Sequence, residues 1–277
     1  MCISPHCGTT LERVPDFLPD PPLLEFRNIT ISHEGHIGLD NLSLTIQPRE
    51  HIALLGPNGS GKSTLIKTLT RDCYPLQRPG SQVRIFGKET WNIFDLRPLF
   101  GIVHNDLMQS YLRYPYTGRE VVLSGFFSSV GIWPNHEVTD AMQARATQIL
   151  RLLEIEHLAE RVVAQMSTGE GRRLLIGRAL VHRPEALILD EPTASLDIRA
   201  TRELIDIMRR VAGETTIILV THHLSDIIPE ISRVVLLRKG KVFLDGRKED
   251  VLSDEALSSL FEMPVEVIQR HGYFHLI

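Results

Sequence analysis

The stretch that most constrains this chain runs from His51 to Leu65, HIALLGPNGSGKSTL. Its apolar opening, Ile52 to Leu55, suits a strand buried on both faces. A turn of phosphate size follows. Gly56, Pro57, Asn58, Gly59, Ser60, Gly61, Lys62, Ser63 and Thr64 fit the spacing of a phosphate-binding loop. In such a loop glycines let successive backbone N–H groups curl round anionic oxygens with no Cβ in the way. A helix beginning near Lys62 then directs its positive N-terminal end at the same anion. On this reading Lys62 bridges the β- and γ-phosphates of a nucleotide, Ser63 Oγ ligates Mg²⁺, and Thr64 adds a hydroxyl near the α-phosphate. A chance glycine-rich turn would require neither the strand before it nor the apolar helix after it (Leu65, Ile66, Leu69), and both are present.

Composition narrows the setting. The 277 residues can bury a full core, and 43% hydrophobic with 23% charged residues is ordinary for a soluble globular protein. No apolar run approaches the roughly 18 residues that a membrane-spanning helix needs, so the chain is expected not to span a bilayer itself. A net charge of −4 supplies no general attraction for nucleic acid, and none is expected as a partner. Three cysteines, Cys2, Cys7 and Cys73, form no regular framework, which points to a reducing compartment. Cys2 and Cys7 flank His6, but a fourth ligand at finger-like spacing is missing, so a metal clip is disfavoured. Residues 1–22 are proline-rich, with neither the basic nor the apolar region of a secretory signal, and read as a flexible N-terminal tail.

An ordered domain is expected over 23–277. LLEFRNITIS alternates apolar and polar residues as a half-buried strand does, and LSLTI repeats the pattern after a bend. With the strand entering the phosphate loop and VRIF (Val83 to Phe86), these predict a small sheet beside the nucleotide. His33, in the bend, either stacks on adenine or is an exposed loop residue of no consequence. Six aromatics fall between Tyr111 and Trp133: Tyr111, Tyr114, Tyr116, Phe126, Phe127 and Trp133. They form either a local core or a surface for another protein. TDAMQARATQILRLLE then carries Met142, Ala146, Ile149 and Leu153 at helical spacing behind a Thr139 cap. The stretch from Asp106 to Gln165 thus reads as a mainly helical insertion in an α/β chain.

ALILDEP places an apolar strand, Ala186 to Leu189, directly before Asp190 and Glu191, at the C-terminal end where open parallel sheets bind ligands. Two adjacent carboxylates can divide the work. Asp190 would hold Mg²⁺ through a water, while Glu191 would align and polarise a water attacking the γ-phosphate. A second apolar strand, Thr215 to Val220, ends in Thr221 and His222, and His222 can donate to that phosphate.

In order, GPNGSGKST, MSTGEGRR (Met166 to Arg173), LILDEP, SLD (Ser195 to Asp197) and VTHH (Val220 to His223) resemble the nucleotide-binding subunit of an ABC transporter. The resemblance covers nearly everything after Leu23. It implies a P-loop NTPase (RecA-like) core with an antiparallel β subdomain and a helical signature-motif subdomain inserted at about 106–180. It also implies a head-to-tail dimer of two copies round two ATP molecules, each held between one copy's phosphate loop and the other's signature. Ser167, Gly169 and Glu170 would then face the γ-phosphate of the partner's ATP, and Asp197 the opposing loop.

Three departures stand out. The signature is STGE where the family has SGGQ, so Thr168 occupies a glycine position and loosens the phosphate approach. Glu170 replaces glutamine, its charge to be offset by Arg172 or Arg173. Asn105 aligns with the family's catalytic glutamine on a shorter arm; Asp106 or Gln109 are substitutes. REVVLSGFF, the signature and the C-terminal tail resemble subunits of metal-chelate, cobalamin or molybdenum uptake, implying an importer. The tail from Leu252 is expected to form a short helix and one last strand. The implied activity is Mg²⁺-dependent ATP hydrolysis at the cytoplasmic face of the membrane, driving a polytopic permease that the aromatic-rich insertion contacts. The alternative is a soluble ABC-type ATPase in repair, translation or regulation. Such proteins usually fuse two ATP domains, whereas this chain has one, and an ordinary P-loop kinase would need neither STGE nor SLD.

Overall fold

The computed structural model describes residues 21–277 apart from Glu34 and Asn105, with the backbone alone at His33. In chain order the elements are β1 (Leu24–His33), β2 (His36–Ile46), β3 (Ile52–Leu55), α1 (Lys62–Leu69), β4 (Gln82–Ile85), α2 (Ile93–Leu96) and β5 (Phe100–Val103). Then come α3 (Asp106–Tyr111), α4 (Gly118–Ser124), α5 (Asp140–Leu152), α6 (Thr168–Ala179), β6 (Ala186–Asp190), α7 (Ile198–Ala212) and β7 (Thr216–Thr221). The last are β8 (Arg233–Arg238), β9 (Lys241–Arg247), α8 (Lys248–Val251), α9 (Asp254–Phe261), β10 (Val267–Arg270) and β11 (Tyr273–Leu276).

Unbroken apolar strands build the central sheet. IALL, ALILD and TIILVT are buried almost throughout, as strands covered on both faces must be. They line up in the order β5-β6-β7-β3-β8-β9, parallel except for the antiparallel edge strand β9. Ala53 pairs with Leu219 on one side and Val234 on the other, so the phosphate loop leaves the sheet beside the ends of β7 and β8. Asp190 and Thr221 end β6 and β7 at the same edge. The expected small sheet therefore needs correcting. β3 sits within the large sheet, because its four buried residues need cover on both faces, while β2-β1-β4 forms a separate antiparallel sheet.

Between β5 and β6 the chain builds its helical layer. Thr117 and Glu120 form a capping box on α4, and Thr139 caps α5 by accepting the Met142 N–H. The helices approach closely at Gly177 of α6, where a Cβ would lie only 3.2–3.3 Å from Ile149, Leu153 and Val122. These side chains belong to one continuous core with the inner residues of the sheet. Each such fully buried residue contributes about 1.5–3 kcal/mol relative to exposure.

The C-terminal expectation of a single strand also needs correcting. β10 and β11 form a hairpin, Arg270 pairing with Tyr273 across His271 (φ 52°) and Gly272 (φ 81°). Positive φ at both central residues matches the twist of flanking strands.

Candidate nucleotide site

At the phosphate loop, backbone geometry replaces side chains. Gly61 precedes α1 at φ 108° and no side chain caps the helix, so its first N–H groups are left for an anion. A Cβ at Gly56 would come within 2.4 Å of the Leu237 carbonyl, and one at Gly61 within 2.6 Å of the Gly38 carbonyl, so both positions are closed to larger residues. Pro57, Asn58 and Gly59 form the outer rim. Ser60 Oγ is buried without a hydrogen-bond partner. Lys62 folds back, Nζ donating to the carbonyls of Gly56 at 2.6 Å and Pro57 at 3.2 Å. Burial lowers its pKa, against the attraction of Glu191 and Asp190. A buried cation resting on loop carbonyls is well placed to exchange them for phosphate oxygens. Thr64 packs under Gly38 of β2, which ties the antiparallel sheet to the loop.

Ser63 and Asp190 line one cleft of about 620 Å³, together with His104 and Asp106. Burial raises the Asp190 pKa, Glu191 adds to the rise, and His104 and Lys62 oppose it. A hydroxyl and a carboxylate facing one space are hard oxygen donors of the type Mg²⁺ takes, and an anion short of positive charge favours a cation there.

Glu191 adopts φ 48°, a region that costs a non-glycine residue about 1–3 kcal/mol and clusters at functional sites. Its N–H donates to Val220 O at 2.8 Å, holding the turn against β7. Across that junction His222 Nδ1 lies 2.7 Å from Glu191 Oε2. Neither atom makes an angularly sound hydrogen bond, so the contact is an approach without a bond. The His223 ring lies beside that of His222 with centroids 3.9 Å apart. Beneath them is a residue the sequence reading missed: buried Asp226 accepts from Thr193 and Thr221. Its one sequence signal is an acidic residue among Leu224, Ile227 and Ile228 after VTHH.

Ser167 caps α6 and forms a capping box with Glu170, whose carboxylate accepts the Ser167 N–H at 2.7 Å. The partner expected for Glu170 needs correcting: Arg161 holds it at 2.9 Å, while Arg173 pairs with Glu203 at 3.4 Å. Arg172 points inward and is buried. Burial pushes the Glu170 pKa up, but the Ser167 and Arg161 hydrogen bonds outweigh it and the net direction is down. Gly169 faces α7, where a Cβ would stand 2.7 Å from Ala200 Cβ. Asp197 caps α7 by accepting the Ala200 N–H at 2.7 Å. Ser167, Gly169, Glu170 and Asp197 line one shallow pocket, and the phosphate loop contributes nothing to it. The side chain of His33 and all of Asn105 lie outside the described residues, as do Cys2, His6 and Cys7.

The six aromatics divide. Tyr111 is fully buried, its hydroxyl bonded to Ser124 Oγ at 2.7 Å and receiving Arg178 Nε at 2.8 Å. Tyr116 packs edge-on to Tyr111, Phe127 stacks on His136, and Phe126 meets His182. Tyr114 (58%) and Trp133 (50%) are the exposed ones. The cluster is therefore part core and part surface.

Residues 39–194 match a family model described as ABC transporter. The chain is 32% identical over 253 residues to an ABC transporter ATP-binding protein of Streptococcus mutans, covering 89% of this chain and 94% of that one. It is 32% identical over 257 residues to the hemin import ATP-binding protein of Escherichia coli O157:H7, covering 89% and 95%. A metal-chelate type ABC transporter in an inward-facing conformation superposes with a TM-score of 0.74 at 23% identity, covering 92% of this chain and 97% of that one. A dimeric ATP-binding cassette in a post-hydrolysis state with ADP and Pi superposes at 0.65 and 25% identity, covering 81% and 98%.

Proposed function

This chain belongs to the ABC transporter family, and on that premise we propose that it hydrolyses ATP with Mg²⁺ in a head-to-tail dimer and drives a polytopic importer permease from the cytoplasmic face of the membrane. One observation carries the composite site. Ser63 with Asp190 and the signature with Asp197 line separate clefts of a single chain, which supports reading each as half of a site that a second copy completes. Dimeric ATP-binding cassettes among the similar structures support the same arrangement. No helix among the described residues is long and apolar enough to cross a membrane.

The residues then take distinct parts. The loop N–H groups and Lys62 bind the phosphates, and Ser63 and Asp190 would hold Mg²⁺, which would supply positive charge to offset that of the phosphates. Glu191 orients a water in line with the γ-phosphorus and draws on its proton as the bond to the β,γ-bridging oxygen breaks. His222 donates to a γ-phosphate oxygen, where charge redistributes. The partner's Ser167 and the first N–H groups of its α6 close the site over the same phosphate.

The test is phosphate release by purified protein with ATP and Mg²⁺. Glu191→Gln should lower turnover by about 10² or more with ATP affinity retained. A variant as active as wild type would remove Glu191 from this role.

A further inference from the structure

The turns carrying Glu191 and His222 meet on a third carboxylate. Asp226 ends the short 3₁₀ turn after β7 and is 1% exposed. Its Oδ2 accepts Thr193 Oγ1 at 2.7 Å and Thr221 Oγ1 at 2.8 Å. Thr193 stands two residues after Glu191, and Thr221 stands directly before His222. Both threonines are buried. Thr221 Oγ1 also accepts the His223 N–H at 3.0 Å, which fixes the backbone just beyond His222.

Each threonine has one hydroxyl proton, and both are committed to the same oxygen. That oxygen is thus a single pin through two loops that are 33 residues apart at Thr193 and Asp226. Packing alone gives no reason for it, since burying a carboxyl costs free energy unless hydrogen bonds compensate, and an apolar residue would fill the space more cheaply. Burial does push the Asp226 carboxyl pKa up, while the two threonines and His223 draw it back. What the carboxyl supplies is geometry: with Glu191 N–H bonded to Val220 O, it leaves the ends of β6 and β7 little freedom to move apart.

We propose that Asp226 is a positioning residue that, through Thr193 and Thr221, holds the Glu191 and His222 turns at the separation hydrolysis requires. The proposal rests on the reading of Glu191 and His222 given above. Asp226 is not placed among the phosphate-binding groups, so its loss acts on the chemical step and leaves nucleotide binding in place. A group that only stabilises the core would move both together or neither.

The experiment measures kcat and ATP affinity separately for Asp226→Ala, Asp226→Asn and Thr193→Val, with Glu191→Gln alongside. In Asp226→Ala, ATP affinity should stay within about twofold of wild type while kcat falls about tenfold or more. Asp226→Asn should recover most of the rate, because its amide oxygen can accept both hydroxyls. Thr193→Val combined with Asp226→Ala should be no slower than Asp226→Ala alone, since both remove the same link. If Asp226→Ala does not fold, Thr193→Val, nearly isosteric, carries the same kcat-against-affinity comparison. A folded Asp226→Ala variant with wild-type kcat, beside an inactive Glu191→Gln, would overturn the role of Asp226 alone. Affinity and kcat falling in parallel, with no rescue by Asn, would also overturn it. An active Glu191→Gln would overturn the underlying reading of the site.

Discussion

His222 Nδ1 and Glu191 Oε2 approach to 2.7 Å from the ends of neighbouring parallel strands, and no hydrogen-bond angle joins them. Asp190 pairs with Val220, so the residues just beyond each strand end are brought face to face. On the proposed reading the imidazole serves a phosphate oxygen and the carboxylate a water, rather than each other. His222→Ala should therefore lower kcat by about 10² or more. ATP affinity should change far less, and a parallel loss of affinity in calorimetric titration would contradict this division of labour.

Lys62→Ala tests binding itself. Charge-assisted hydrogen bonds are worth about 1.5–3 kcal/mol, so ATP affinity should fall about ten- to a hundredfold. Gly56 and Pro57 carbonyls lose their buried donor in the same variant, so melting temperature should be recorded with it. Unchanged affinity in a folded variant would exclude Lys62 as a phosphate ligand.

Glu170 gives a pH prediction with a definite sign. Its pKa in the folded chain lies below the ordinary glutamate range, so its ionised form stabilises the fold at neutral pH. That contribution is complete above the unfolded-state pKa and is lost as pH falls through the lowered folded-state value. Glu170→Gln keeps the capping geometry and loses the Arg161 charge pair. Thermal melts should show wild type slightly ahead of the variant at pH 7, with the gap closing in acid. A gap that widens in acid would contradict the assignment.

The permease contact should be read from Tyr114 and Trp133, not from the whole cluster. Alanine at these exposed positions should leave folding and basal hydrolysis nearly intact and abolish copurification with a polytopic membrane protein. Tyr111→Ala should instead destabilise the helical layer, by about 3–5 kcal/mol for removal of a buried aromatic ring. Wild type recovered with no membrane protein would favour a soluble ATPase.

The candidate site is legible where its residues are consecutive. HIALLGPNGSGKSTL and ALILDEP each carry the strand, the turn and the reacting groups in one run, so local pattern alone indicates both. What escaped depends on partners distant in sequence. The sequence puts β3 in the small sheet and the structure in the large one, because a four-residue apolar run does not say which neighbours cover it. Glu170 lies next to Arg172 and Arg173 in sequence, but α6 turns them elsewhere and Arg161 arrives from the preceding loop. Thr193 and Asp226 look unremarkable until β6 and β7 are adjacent. The last hairpin was missed because histidine, rather than asparagine or aspartate, takes the first positive-φ position before Gly272.

The composite site is the central claim, and Glu191→Gln makes it visible because a dimer that cannot hydrolyse ATP should not come apart. Analytical ultracentrifugation of this variant should show monomer without nucleotide and dimer with ATP, holding two ATP per dimer, and Lys62→Ala added to the same chain should abolish the shift. A Glu191→Gln variant that binds ATP stoichiometrically and remains monomeric would contradict the composite site.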